Sequence, residues 1–334
     1  MKTKQHFLIV FSLALFMVLS YRLQAQELSG LGAAFIDVGT GARPSGLGGA
    51  YTAESDIYST VFNPAGIAGL RGNNAAFAFT NHYNLIPYSF TAYTMSLGDA
   101  GNSAIGFALW YSGDDALREI TFQASYGAKV TNELSVGATL KYRRAQFGDN
   151  SLNRNDYIVF EDDEFTLGDS RQVQGSGNGI GIDIGALYQV TPEVVLGLML
   201  KDIYSPVFYD SKVKNQTLSG KNAKGSYDET VPMMLSIGTL AQLTEYLKAS
   251  ADYTPSFDDD VSNRIRGGIE LELFSMLYIR GGYQNMLNKE QDEKYSVGLG
   301  FDINAIQSLG ILIDYAYSIE QLANSHRFSL GLEF

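Results

Sequence analysis

The sequence predicts an all-β chain, a transmembrane antiparallel β-barrel of about fourteen strands with an N-terminal hatch containing a short helix. Three observations lead there. The N-terminus reads as a secretory signal, apolar residues alternate with small or polar ones through most of the chain, and short connections alternate with longer ones.

The signal comes first. Lys2 and Lys4 precede an apolar run from Phe7 to Leu19, and the small residue Ala25 precedes Gln26-Glu27, which marks residues 1–25 as a signal peptide. The run is too short for a comfortable membrane-spanning helix, and no later segment reaches the roughly 18 apolar residues a helical span requires. Cysteine is absent, so an exported chain has neither disulfides nor thiolate metal sites to stabilise it and depends on its topology. The 21 tyrosines and 35 glycines suit amphipathic strands joined by tight turns, and a net charge of −12 argues against a nucleic-acid surface. No cofactor is implied.

The wall is residues 74–334, with strands expected at 74–82, 88–97, 102–112, 119–129, 132–146, 177–190, 193–204, 230–242, 245–256, 261–273, 275–284, 294–304, 308–318 and 325–334. In the last of these, Phe328, Leu330, Leu332 and Phe334 fall on one face, opposite Ser329, Gly331 and Glu333. Ile311, Ile313, Tyr315 and Tyr317 likewise oppose Leu312, Asp314, Ala316 and Ser318. The apolar face meets outer-membrane lipid, and the aromatic residue at the last position marks this strand as the signal read by the barrel assembly machinery. Tight links near 98–101, 130–131, 191–192, 243–244, 274 and 304–307 alternate with longer ones at 113–118, 147–176, 205–229, 285–293 and 319–324, and the longer set is expected outside the cell. The 147–176 loop is acidic, and its apolar stretch Tyr157–Phe160 suggests a short added hairpin. Its carboxylates lack the order of an EF-hand calcium loop.

Residues 26–73 show no sustained alternation and are rich in Gly and Ala, so they are read as a plug rather than wall. Asn63 can cap free N–H groups and Pro64 fits a first helical position, which predicts about two helical turns through Ala65 and Gly66. Arg43 is the charge expected to hold the Gly-rich strip against a wall carboxylate.

The stretch Gly41-Ala42-Arg43-Pro44-Ser45-Gly46-Leu47-Gly48-Gly49-Ala50-Tyr51-Thr52-Ala53, followed by Val61-Phe62-Asn63-Pro64-Ala65-Gly66-Ile67-Ala68-Gly69-Leu70, resembles the N-terminal signature of the PorV/PorQ family within the FadL-like barrel superfamily. The resemblance implies an outer-membrane barrel of about fourteen strands with its N-terminal segment folded inside. It also implies one of two roles. A PorV/PorQ-like protein is a shuttle or docking component associated with type IX secretion, with secreted proteins or secretion-system components as partners. A FadL-like protein transports hydrophobic small molecules.

Catalysis finds little support. His6 lies in the signal peptide, and His82 and His326 have no recognisable nucleophile spacing, although both fall near barrel closure. Gly175-Ser176-Gly177-Asn178-Gly179-Ile180-Gly181 does not satisfy the dinucleotide-binding pattern, and a strand rather than a helix follows it. The wall residues expected to line the lumen are Lys141, Arg143, Asp183, Lys201, Arg266, Glu270, Glu272, Arg280, Asp302 and Asp314, serving either to support the hatch or to meet a solute.

Overall fold

A two-residue period needs a surface with two different sides, and a barrel wall provides lipid on one and a filled lumen on the other. The computed structural model describes residues 40–334 apart from 83–85, 99–100, 149–158, 162–163, 167–172, 214–223, 258–261, 288–292, 307–308 and 321–323, so the expected signal peptide lies outside the described residues. Its strands are β1 (Asn73–His82), β2 (Ile86–Leu97), β3 (Ser103–Gly113), β4 (Leu117–Lys129), β5 (Leu134–Phe147), β6 (Val159–Glu161), β7 (Glu164–Thr166), β8 (Val173–Thr191) and β9 (Val194–Tyr204). They continue with β10 (Pro206–Val213), β11 (Lys224–Thr230), β12 (Met234–Gln242), β13 (Leu247–Thr254), β14 (Arg264–Leu273), β15 (Leu277–Met286), β16 (Glu293–Ile306), β17 (Leu309–Ile319) and β18 (Ser325–Glu333).

Fourteen of these strands form a closed antiparallel ring, as the alternation predicts. Neighbours run β1 to β5, then β8, β9 and β12 to β18, and β18 pairs with β1 in the register Phe77↔Leu330 and Phe79↔Phe328. Closure leaves the wall without a free edge. Outward residues are large and apolar: Phe77, Leu109, Leu140, Ile184, Ile269 and Val297 are all exposed. On β18, Phe328 and Leu330 point outward while Arg327 and Ser329 are buried inside. No helix among the described residues is long and apolar enough to cross a membrane.

Three features depart from the sequence reading. The 113–118 link is a three-residue turn closed by Asp114 N–H donating to the Leu117 carbonyl, with Gly113 at φ 95°. It is therefore no longer than the turns at the opposite end. The 205–229 stretch is largely a hairpin, β10–β11, laid against the first half of β8, and β8 itself begins inside the expected 147–176 loop. β6 and β7 pair as a separate hairpin within that loop, where the apolar stretch suggested one.

The last strand closes the ring through backbone groups. Phe334 N–H donates to the Asn73 carbonyl at 2.9 Å, the Phe334 carbonyl accepts from Asn73 N–H at 2.7 Å, and the Phe334 side chain is half exposed. Phe334→Asp keeps those backbone bonds and changes only the outward group, so it tests the assembly role expected of the aromatic side chain. The heat-modifiable barrel recovered from outer membranes should fall several-fold, measured by unheated gel electrophoresis; wild-type recovery would contradict that role.

Candidate functional site

The N-terminal segment, Thr40 to Leu70, packs against the inward face of the wall on all sides. It folds as α1 (Ala42–Gly46), α2 (Ser59–Phe62) and a 3-10 helix (Pro64–Gly69). Asn63 caps the last of these, its side-chain oxygen accepting from Ala65 N–H at 3.2 Å with Pro64 at the first position. The Asn63 side-chain amide donates to the carbonyls of Thr52 at 2.8 Å and Ala186 at 3.1 Å, so one residue ties the cap to the wall. Leu47, Tyr51 and Tyr58 form an apolar core with Ala76, Ala78, Phe90, Ala92 and Ala108 of β1 to β3, joined at its edge by Val61, Phe62 and Trp110.

Small wall residues make this approach feasible. A Cβ on Gly137 would lie 2.3 Å from the Pro64 carbonyl carbon, and one on Gly282 would lie 2.0 Å from Gly48 N. Gly48 and Gly49 adopt φ of 65° and 77°, conformations glycine reaches without a steric cost, and Gly48 there touches the Tyr283 backbone. Gly46 meets Gly298 and Arg280, while Gly66 is closed in by Ser59 and the Glu54 carbonyl.

Arg43 is the polar centre of the segment. All five of its N–H donors are used: Nε and Nη2 grip Glu270 at 3.0 and 3.1 Å, Nη2 also reaches Glu54 at 3.1 Å, and Nη1 reaches Tyr51 Oη at 2.7 Å and Asp56 at 2.5 Å. Glu270 accepts in addition from Arg280 Nε at 2.6 Å, and Arg280 Nη1 holds Asp314 at 2.5 Å. Burial pushes the Glu54 carboxyl above the ordinary carboxylate range, against the opposing pull of Arg43. A second anchor is Asp252, one oxygen of which accepts from Tyr51 N–H, Thr52 N–H and Thr52 Oγ1 at 2.9, 3.0 and 2.7 Å.

A separate ionic cluster lies across the lumen on β5, β8 and β9. Lys141 Nζ bridges Asp183 at 2.6 Å and Asp202 at 3.1 Å, and Arg143 reaches Asp202 at 2.7 Å and Ser205 Oγ at 2.6 Å. Asp202 has φ 56°, where the β8–β9 register shifts between Ile182 and Ile184. This bulge turns Asp202 inward directly after the inward-facing Lys201.

The structure thus brings Arg43, Glu270, Arg280 and Asp314 into one network and Lys141, Arg143 and Asp183 into another. Lys201 and Arg266 join neither network and line cavities instead. Asp302 and Glu272 stand apart near the short-turn end, their backbone N–H groups bonded to Met276 and Tyr246. Sequence reasoning missed Glu54, Asp56, Asp202, Asp252 and Arg327. Asp252 and Arg327 were accessible from alternation, since each sits on the small-residue face of its strand; the other three were not.

Two cavities, of about 60 and about 100 Å³, open above Thr40 and Val61, away from the short-turn end. Trp110, Tyr88 and Gln123 line the smaller, Phe62, Met234 and Arg266 the larger, and Lys201 lines both. The Trp110 indole donates to Thr40 Oγ1 at 3.2 Å. His326 faces outward and bonds Tyr315 Oη at 2.7 Å, and the His82 side chain lies outside the described residues. Among the described residues, no cluster of His, Cys, Asp and Glu has a metal-binding arrangement. The carboxylates of the acidic 147–176 loop fall mostly outside those residues.

Comparison with solved structures places this architecture. A monoaromatic hydrocarbon channel, CymD, superposes with a TM-score of 0.63 at 15% identity, covering 89% of this chain and 98% of that one. The toluene transporter TbuX of Ralstonia pickettii gives 0.58 at 15% identity, covering 88% and 97%. A FadL homologue of Pseudomonas aeruginosa gives 0.60 at 12% identity, covering 88% and 98%. The chain has the FadL-like outer-membrane barrel fold. At these identities the likeness concerns the fold alone. A family model described as "F plasmid transfer operon, TraF, protein" matches residues 113–254, less than half of the chain. Comparison with curated proteins finds none that matches.

Removing Arg43 leaves Glu54, Asp56 and Glu270 facing one another in a dry interior, and breaking such a buried network typically costs about 3–5 kcal/mol. Arg43→Ala should therefore undock the segment without opening the wall. Limited proteolysis of the detergent-solubilised protein should show new cleavage between residues 40 and 70 with the barrel core intact, and Arg43→Lys should lie between. Unchanged protection of Arg43→Ala would contradict this assignment.

Proposed function

We propose that this chain is a non-enzymatic FadL-like outer-membrane transporter for small apolar or amphiphilic molecules, with residues 26–73 as its hatch and 74–334 as its barrel. The observation that carries the proposal is the arrangement inside the ring. Thr40 to Leu70 occupies the lumen, yet two cavities remain above it, bordered by Trp110, Tyr88, Val61 and Phe62. A filled pore with a part-apolar chamber on one side suits capture of a solute followed by movement of the filling segment. Printed descriptions of the structural neighbours, a monoaromatic hydrocarbon channel and a toluene transporter, support the same reading.

On this reading the two ionic networks support the hatch, and the apolar outer face meets lipid. The end of the barrel bearing the β10–β11 hairpin faces outside. Phe328, Leu330, Leu332 and Phe334 present the outward strip read during assembly. Docking of secreted proteins or secretion-system components rests on the resemblance of residues 41–70 to PorV/PorQ proteins, and no comparison with known proteins supports it; transport is the stronger reading.

Uptake is the direct test. Cells expressing the chain should accumulate labelled toluene at dilute external concentration several-fold faster than matched cells carrying an empty vector. Equal rates, with the barrel present in the outer membrane at normal level, would overturn the transport reading.

A further inference from the structure

The polar centre that fastens the segment holds more negative charge than positive. Glu54, Asp56, Glu270 and Asp314 meet there around two guanidiniums, Arg43 and Arg280. A third cation, Lys248, stands 3.9 Å from Glu270 with 35% of its side chain exposed, so water weakens its share. Even with it, four carboxylates face three cations in an interior away from bulk water. Such a site sheds its excess by protonating one carboxyl.

The hydrogen bonds decide which one. Glu270 accepts from Arg43 at 3.0 and 3.1 Å and from Arg280 at 2.6 Å, and Asp314 takes Arg280 Nη1 at 2.5 Å. Asp56 accepts from Arg43 Nη1 and Tyr51 Oη, both at 2.5 Å, and from Tyr58 N–H at 2.9 Å, and it keeps some contact with solvent. Glu54 has a single donor to its carboxylate among the described residues, Arg43 Nη2 at 3.1 Å, and Glu270 shares that nitrogen. Its side chain is only 6% exposed. The groups that face it are Arg43, Tyr51 and Asp56 on the segment, Lys248 on β13 and Glu270 on β14. Burial pushes the Glu54 carboxyl upward and Asp56 and Glu270 add to that push, while Arg43 and Lys248 oppose it.

We infer that Glu54 takes up a proton as the segment docks, so that mild acid tightens the hatch and rising pH loosens it. A docked Glu54 holds its proton at a pH where the released, hydrated side chain has lost it. Docking therefore binds a proton and is favoured as pH falls from about 8 toward about 5. The neutral carboxyl still accepts from Arg43, so the contact survives the change. Asp252, which holds Tyr51 and Thr52, is a separate anchor. The inference rests on the hatch part of the reading above and is independent of what passes.

The test is proteinase K digestion of the full-length protein in detergent at about pH 5.5, 7 and 8.5, with Arg43→Ala at each pH as the measure of a released segment. Relative to that variant, wild-type cleavage between residues 40 and 70 should rise about threefold or more from the lowest pH to the highest, within the tenfold per pH unit that one proton allows. In Glu54→Gln, a permanent mimic of the neutral carboxyl, cleavage should stay at the slow, acid level with most of the rise gone. A wild-type rate independent of pH, or the full wild-type rise in Glu54→Gln, would overturn the inference and leave the transport reading standing. If Arg43→Ala is cleaved no faster than wild type at any pH, the cluster does not hold the segment and the inference falls with it. Should Glu54→Gln fail to form heat-modifiable barrel, Asp56→Asn decides. With one carboxylate fewer beside it Glu54 gives up its proton more readily, so the rise should move to lower pH; an unmoved rise would overturn the inference.

Discussion

The Arg43 guanidinium sets the position of everything inside this barrel. A cation buried in a lumen must have every donor met, and Arg43 meets all five with Glu54, Asp56, Tyr51 and both oxygens of Glu270. Three of those partners belong to the same segment and one to β14, so the interaction folds the segment on itself and fastens it to the wall. Arg280 extends the restraint from Glu270 to Asp314 on β17. Gly46, Gly48 and Leu47 are thereby held against the glycines of β14, β15 and β16, where side chains would collide.

The opposite half of the lumen is held in a different way. There the β8–β9 bulge places Asp202 among Lys141, Arg143 and Ser205, directly after Lys201, which alternation already turns toward the cavities. One irregular position in the wall thus satisfies two cations. The network around Arg43 and the cavities are adjacent but distinct, one fastening the segment to the wall and the other opening above it.

The wall was legible because membrane and lumen impose a strict period on fourteen strands, and residues such as Phe328 and Arg327 declare their sides by position. The β10–β11 hairpin was not, because most of β11 is exposed and its sequence KGSYDET carries no two-residue contrast. Asp202 was hidden for the opposite reason: strict alternation assigns it outward, and only the bulge brings it in. Glu54 and Asp56 lie in an irregular segment where no period shows which charges meet. The Asn63-Pro64 cap was readable from local chemistry alone, whereas the pairing of Arg43 with Glu270 joins residues 227 apart and depends on ring closure.

If the segment between Thr40 and Leu70 governs passage, fastening it should stop transport. Thr52 Oγ1 donates to Asp252 Oδ2 at 2.7 Å across the boundary between segment and wall, so cysteines at these two positions bring their sulfurs within reach of a disulfide in a chain with no native cysteine. The deciding measurement is uptake of labelled toluene by cells carrying the Thr52→Cys/Asp252→Cys double variant, before and after reduction. The account predicts uptake near the empty-vector rate when the bond is formed and recovery on reduction. Equal uptake in the oxidised and reduced states, with the bond confirmed by mass spectrometry, would contradict it.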